Sequence, residues 1–219
     1  MTLSATDKPM TRQEFIALRD FVYAKCGIFF QESKQYYLEN RLGRRLTELK
    51  VSSYGAYLDL LQGARGRDEL KQLFIEITTN ETSFWRNPPQ IEAFQRIVLP
   101  EVAGLVRARG ANRLRIWSAA CSSGEEPYTL AIVAQESLDT TLKGLTVEIV
   151  GTDISEKVLE QARAATYGSY TLRNLTPQQL RQHFNAKEGD TFEVKPELRR
   201  MVQLKHLNLV EYQDYRSLG

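Results

Sequence analysis

At 219 residues, with 42% hydrophobic and 26% charged side chains, the chain has the composition of a soluble globular protein large enough for two modest domains. A formal charge of +2 supplies no electrostatic argument for nucleic-acid binding, and no nucleic-acid motif is seen. Cys26 and Cys121 stand far apart without motif spacing, so neither a disulfide framework nor a metal site is expected.

The first ten residues read as a disordered lead without a basic, then apolar, targeting stretch, and a cytoplasmic protein is expected. A helical domain is predicted over 11–86. Thr11 and Glu14 form a capping box ahead of Phe15, Leu18, Phe21 and Val22 at helical spacing, and Gly27 ends that helix. A second helix is predicted from Ser33 to Leu49 on a stripe of Leu38, Leu42, Leu46 and Leu49. Ser52 or Ser53 starts a third, and Asp68 caps a fourth through Leu70, Leu73 and Phe74. Short connections predict a compact antiparallel bundle. Asn87-Pro88-Pro89 opens a helix over 87–110, read as the link between domains, with Ile91, Phe94 and Val98 packing on a neighbour. Pro100, Glu101 and Gly104 interrupt its apolar run, so no membrane insertion is expected.

Over 111–219 the rhythm changes to strand, helix, strand, helix, which predicts a parallel, doubly wound sheet of the α/β class. Ser155 caps a helix carrying Val158, Leu159 and Ala162, and Thr176-Pro177 opens another that ends near Phe184. Thr191–Lys195 alternates apolar and polar residues and is expected to pair with Met201–Leu204 in a small antiparallel insert over about 185–203.

The chemistry concentrates in Arg115–Leu130, read as a buried strand, a loop of small residues from Ser118 to Gly124, and a helix opened by Glu125, Glu126 and Pro127. Dinucleotide sites carry G-x-G-x-x-G and hold a pyrophosphate on a bare, positive helix start. Here only Gly124 is present, and two carboxylates occupy that start, where they repel phosphate and welcome a cation. The balance favours S-adenosylmethionine, which carries a sulfonium and an ammonium and no phosphate. A second strand, Thr146–Ile154, ends in Asp153. That acid reads either as the acceptor for ribose hydroxyls or as a cap of the next helix, a role open to Ser155 as well.

From about Thr11 to its end the chain resembles the CheR family of chemotaxis receptor methyltransferases. The resemblance rests on Asn80, Thr82 and Arg86 within Thr78–Arg86, on Trp117–Tyr128 with its S-x-G-E-E-P-Y, on Gly151–Ser155 and on Leu207-Asn208-Leu209. It implies a Rossmann-like methyltransferase domain behind a helical receptor-docking domain, and methylation of glutamate side chains on bacterial chemoreceptors. S-adenosyl-L-methionine is the implied cofactor and S-adenosyl-L-homocysteine the product. Residues matching Asn80, Thr82, Arg86, Glu126, Asp153, Asn208 and Leu209 contact the cofactor in the family, and Arg86 is the expected catalytic residue. Arg41, Arg44 and Arg45 lie on one side of the second helix, within a stretch of five basic and two acidic residues from Lys34 to Lys50. Read alone they form a solvated flank; with the resemblance they become the expected contact for the acidic helices of methyl-accepting receptors.

Two departures from the family stand out. Trp85 replaces a frequent Phe, and the chain stops before the family's next strand and its Arg-Asn segment. An incomplete sheet is therefore expected, with the strands near Leu114, Val147 and Leu204 in the order three-two-one and impaired catalysis. A catalytically impaired fragment that binds cofactor or receptor is the alternative reading; a nicotinamide oxidoreductase is disfavoured by the single glycine. The insert lacks the extra glycine pair associated with docking a receptor pentapeptide, so that docking is not expected. Read without the resemblance, Arg86 is a surface partner of Glu81 or Glu92, Asn80 and Thr82 are a helix end and a cap, and Cys121 is a small buried thiol.

Overall fold

Thr11 and Glu14 close the predicted capping box: the Glu14 N–H donates to Thr11 Oγ1 (3.2 Å) and the Thr11 N–H to Glu14 Oε2 (2.9 Å), starting α1 (Arg12–Cys26). Gly27 stops it at φ 75°, a left-handed turn in which a Cβ would also meet Val210 Cγ1 at 2.9 Å. In the computed structural model, which describes residues 9–64 and 66–211, α2 (Gln35–Leu49) follows a short 3-10 turn over Glu32–Lys34. Ser53 caps α3 (Tyr54–Gln62), its Oγ accepting the Ala56 N–H at 3.1 Å. α4 (Gly66–Ile77) begins before Asp68, which sits in its first turn rather than at its cap. Phe15, Leu18, Leu38, Leu42, Tyr57 and Leu73 are fully buried where the apolar stripes meet. Met10, expected in a disordered lead, is buried too, its N–H on Glu39 Oε1 and its carbonyl accepting from Gln35 Nε2. The rest of that lead, residues 1–8, lies outside the described residues.

Contacts divide the described chain into two units, residues 9–79 with 208–211 and residues 80–207. The division falls after Thr79 rather than after Arg86, because the Asn80–Arg86 segment is anchored in the second unit. There Phe84 is fully buried, its ring centre 5.0 Å from that of Tyr167 and 5.3 Å from that of Phe184, both edge-on. The helix expected as a link packs into the same unit. It runs as α5 (Pro88–Ala93), a π turn over Phe94–Val98 and α6 (Leu99–Ala108), with Ile91, Phe94 and Val102 against the core. Pro100 accounts for the π turn, since its ring crowds the carbonyl four residues back; the Leu99 N–H reaches five residues back to Phe94 O. The extra residue rotates the helix face. Leu99 takes the buried place expected of Val98, which is 45% exposed.

The second unit contains β1 (Arg113–Ala119), α7 (Glu125–Ser137), β2 (Thr146–Asp153) and α8 (Glu156–Ala164). It continues through β3 (Thr166–Gly168), α9 (Pro177–His183), β4 (Phe184–Lys187), β5 (Thr191–Val194), α10 (Pro196–Arg199) and β6 (Val202–His206). β1, β2 and β6 form a parallel sheet in that spatial order, with Ile116 opposite Ile149 and Gly151 opposite Leu204. This is the expected three-two-one arrangement. β2 is buried from Val147 to Asp153, but β1 is not the buried strand expected. It alternates, with Leu114 and Ser118 buried and Arg113, Arg115 and Trp117 exposed on the other face. The small antiparallel sheet has the order β3-β5-β4, so the insert starts at Thr166 and not near 185. Its expected pairing is also corrected. β5 pairs with β4 across a hairpin turned by Gly189 (φ 70°) and Asp190 (φ 55°), while Pro196 ends the extended run and α10 delivers β6 to the parallel sheet. The expectation about Asp214–Gly219 falls outside the described residues.

Candidate active site

Ala119 and Thr152 lie side by side at the carboxyl ends of β1 and β2, where parallel sheets present their ligand-binding loops. The loop that leaves β1 is strained. Ala120 (φ 56°), Ser122 (φ 51°) and Gly124 (φ 93°) are all left-handed. The conformation costs roughly 1–2 kcal/mol for each non-glycine residue, so the loop needs anchors outside itself. The Cys121 N–H donates to Thr152 O (2.8 Å), the Ser122 N–H to Asp153 Oδ2 (2.8 Å) and the Tyr167 hydroxyl to Ser123 O (2.8 Å). At Gly124 a Cβ would stand 2.8 Å from Ala162 Cβ and 3.0 Å from the Tyr167 oxygen, so only glycine fits.

Asp153 uses both carboxylate oxygens on backbone, Oδ2 on Ser122 and Oδ1 on the Ser155 N–H (2.9 Å). Ser155 occupies the N-cap of α8, yet its buried hydroxyl makes no capping bond. Each Asp153 oxygen keeps a further lone pair, so holding the loop and accepting from a ribose are compatible. The two acids at the start of α7 part company. Glu125 turns inward, accepts from Ser123 Oγ at 2.7 Å, and burial raises its carboxyl above the ordinary range. Glu126 is exposed and accepts from the buried Ser118 Oγ at 2.6 Å. The expectation that both are open to a cation is corrected: Glu125 is buried, and only Glu126 is exposed.

Asn80 and Thr82 lie in coil beyond α4, so neither caps a helix. Asn80 O accepts from Ser122 Oγ at 3.2 Å, which sets this segment against the strained loop and Asp153. The Phe84 N–H donates to Thr171 O (2.9 Å), and Asn174 Nδ2 donates to the carbonyls of Phe84 (3.3 Å) and Trp85 (3.1 Å). Arg86 at the end of the segment is exposed. Among the described residues it has no ion pair, and Glu92, one of its two expected surface partners, pairs with Arg96 at 3.2 Å instead. Cys121 is buried, with its thiol pushed up to about 12 by burial and by Asp153, which removes it as a nucleophile.

Two groups of expected residues lie in the first unit. Asn208 is buried, and its Nδ2 donates to Lys25 O at the end of α1 (2.7 Å) and to Glu211 Oε1 (3.0 Å); Leu209 is 42% exposed. Arg41, Arg44 and Arg45 do not form one outward patch. Arg45 grips the buried Glu69 with two nitrogens (2.8 and 2.6 Å), and the Tyr57 hydroxyl donates to the same carboxylate at 2.8 Å. Arg41 lies over the Tyr37 ring and donates to Glu76 O, while Arg44 is exposed and pairs with Glu48 at 2.9 Å. Arg45→Ala leaves Glu69 buried without its cation and is expected to cost about 2–3 kcal/mol in urea unfolding. Arg44→Ala should cost no more than about 0.5 kcal/mol; equal losses would contradict this assignment.

Sequence reasoning missed Ser118, Ser122 and Tyr167. The two serines looked like generic small residues, and Tyr167 sits in a three-residue strand with no periodic signal. The donor set as a whole suits a cofactor without phosphate. Between Ser118 and Glu126 there is no basic side chain, whereas Glu126 and Asp153 offer carboxylates to an ammonium and to ribose hydroxyls.

Comparison with known proteins agrees. The CheR methyltransferase SAM-binding domain matches residues 80–218, and the CheR methyltransferase all-alpha domain matches residues 13–78. Chemotaxis protein methyltransferase 1 of Pseudomonas aeruginosa is 38% identical over 94% of this chain and 74% of its own length. The chemotaxis protein methyltransferases of Borreliella burgdorferi (33% identical, 92% of this chain, 71% of theirs) and Escherichia coli (34%, 91% and 67%) are similar over nearly the same span. The chain therefore belongs to the CheR methyltransferase family and is an S-adenosylmethionine-dependent methyltransferase.

Proposed function

We propose that this methyltransferase acts in the cytoplasm on glutamate side chains in the helices of chemotaxis receptors, with Asn80, Thr82, Arg86, Glu126 and Asp153 holding the cofactor. The observation that carries the reading is Ser122, which joins Asn80 O to Asp153 through its hydroxyl and its N–H. For Asn208 and Leu209 the proposed cofactor contact rests on the family motif alone. Among the described residues no helix is long and apolar enough to cross a membrane.

Bound S-adenosylmethionine supplies an electrophilic methyl group. A glutamate acceptor, with an ordinary pKa near ~4.3, is already ionised at neutral pH, so no side chain of this protein has to remove a proton. The protein's task is orientation and exclusion of water, worth up to roughly 7–11 kcal/mol when the reactants are well aligned. Asp153 would accept from the ribose hydroxyls, Glu126 would face the ammonium, and Arg86 would hold a carboxylate by paired hydrogen bonds. On the helical unit, Arg44 and Arg41 are the proposed docking residues for acidic receptor helices, with Arg45 as their scaffold. Pentapeptide docking is not proposed, since the β4–β5 turn has the single glycine Gly189.

Transfer of labelled methyl groups to receptor membranes tests the reaction. S-adenosylhomocysteine binding without transfer would convert the reading to that of a binding module. Arg86→Ala should lower kcat/KM about 30-fold or more while the melting temperature stays within about 2 °C, because its side chain is exposed and in no ion pair among the described residues. Normal transfer by that variant would return Arg86 to the solvated surface. Arg44→Glu should raise KM for receptor and leave KM for cofactor unchanged; a parallel rise in both would argue against docking at α2.

A further inference from the structure

We propose that Tyr167, outside every cofactor motif, is a positioning residue that holds the cofactor loop in its binding conformation from the small antiparallel sheet. Of the anchors outside the strained stretch Ala120–Gly124, Thr152 and Asp153 come from the neighbouring parallel strand and Asn80 from the coil beyond α4. A further one comes from β3. Tyr167 donates its hydroxyl proton to Ser123 O at 2.8 Å, in the middle of the left-handed residues. Its ring is 5% exposed, edge-on to both Phe84 and Tyr128, so the phenol is fixed from behind. The same oxygen stands 3.0 Å from where a Cβ on Gly124 would lie, so it also walls the loop on that side. Burial raises the phenol pKa well above its ordinary value, which keeps Tyr167 a proton donor at any working pH.

Because β3 belongs to the insert and Phe84 to the Asn80–Arg86 segment, one side chain fastens the loop, the motif and the small sheet together. Tyr167 hydrogen-bonds to Ser123 and its ring contacts Phe84 and Tyr128, which are not among the proposed cofactor-binding residues. It acts through the backbone of Ser123, which ties the loop geometry of an S-adenosylmethionine site to a residue that sequence motifs pass over. The inference rests on the cofactor site proposed above.

Tyr167→Phe keeps the ring and removes the hydrogen bond. Calorimetric titration of the full chain with S-adenosylhomocysteine should show affinity reduced about fivefold, the loss of one hydrogen bond. KM for S-adenosylmethionine should rise by a similar factor with kcat unchanged. Without ligand, amide exchange over residues 120–124 should quicken in the variant while exchange in β2 stays slow. Wild-type affinity together with unaltered loop exchange in Tyr167→Phe would overturn the proposal. Asp153→Ala is titrated alongside: if it binds normally while Tyr167→Phe is impaired, the site itself is wrongly assigned and this inference falls with it. Thr171→Ala, which leaves the Thr171 carbonyl bond to Phe84 in place, serves as the control and should bind as wild type.

Discussion

Asp153→Ala is expected to weaken S-adenosylhomocysteine binding about 100-fold and to cost about 2–4 kcal/mol of stability. Both effects have the same origin. The carboxylate is nearly buried and already accepts two backbone N–H groups, from Ser122 and Ser155. Removing it strips a charged acceptor from two donors, at about 1–3 kcal/mol for each one left unsatisfied. It also removes the proposed ribose acceptor and the Asp153 anchor of Ser122, loosening the strained loop on which Asn80 rests. A ribose contact alone would bring lost affinity without lost stability; the two backbone N–H bonds add the stability cost. Asp153→Asn separates the two contributions: one oxygen remains for one N–H, and the amide donor faces the other. Its stability should fall between those of alanine and wild type, while affinity falls nearly as far as in alanine. Urea unfolding and calorimetry on the same samples decide the matter. Undiminished affinity in Asp153→Ala would sink the ribose assignment whatever happens to stability.

The parts of this fold that are legible in the sequence are those with local causes. The Thr11–Glu14 box, the leucine stripe of α2 and the parallel order of β1, β2 and β6 follow from capping chemistry and periodicity. What went astray needed knowledge of neighbours. Val98 looked like a core residue until Pro100 forced a π turn and shifted the face by one position. Glu125 and Glu126 are adjacent and chemically identical, yet helix geometry points one inward and the other outward. Arg45 looked equivalent to Arg44; only the buried Glu69, 24 residues away in sequence, sets it apart. At the candidate site the proposed cofactor-binding residues Asn80, Glu126 and Asp153 were readable as motif letters. Ser122 and Tyr167, which tie the loop to its surroundings, were not, since their partners lie 31 to 44 residues away in sequence.

Phe84→Ala should be the most damaging single change in the second unit. The ring is completely inaccessible and meets Tyr167 and Phe184 edge-on, so truncation opens a cavity at the centre of an aromatic cluster. Such changes cost about 3–5 kcal/mol, and the melting temperature should fall by roughly 10–15 °C. The loss also has a functional direction that a generic core mutation lacks. Phe84 is the plug of the Asn80–Arg86 segment: its N–H and carbonyl are bonded to Thr171 and Asn174, and its side chain sets the depth at which the segment sits. Once the plug is gone, Asn80 and Arg86 lose their fixed places even in molecules that remain folded. At 15 °C, well below the lowered transition, S-adenosylhomocysteine affinity should still be down about tenfold or more, since each restored contact must first order a loosened loop. Phe184→Leu, in the same cluster but outside the segment, should lower the melting temperature by several degrees and leave affinity near wild type. If Phe84→Ala binds as wild type at low temperature, Phe84 is core packing alone, and the Asn80–Arg86 segment is positioned by its backbone hydrogen bonds without help from the ring.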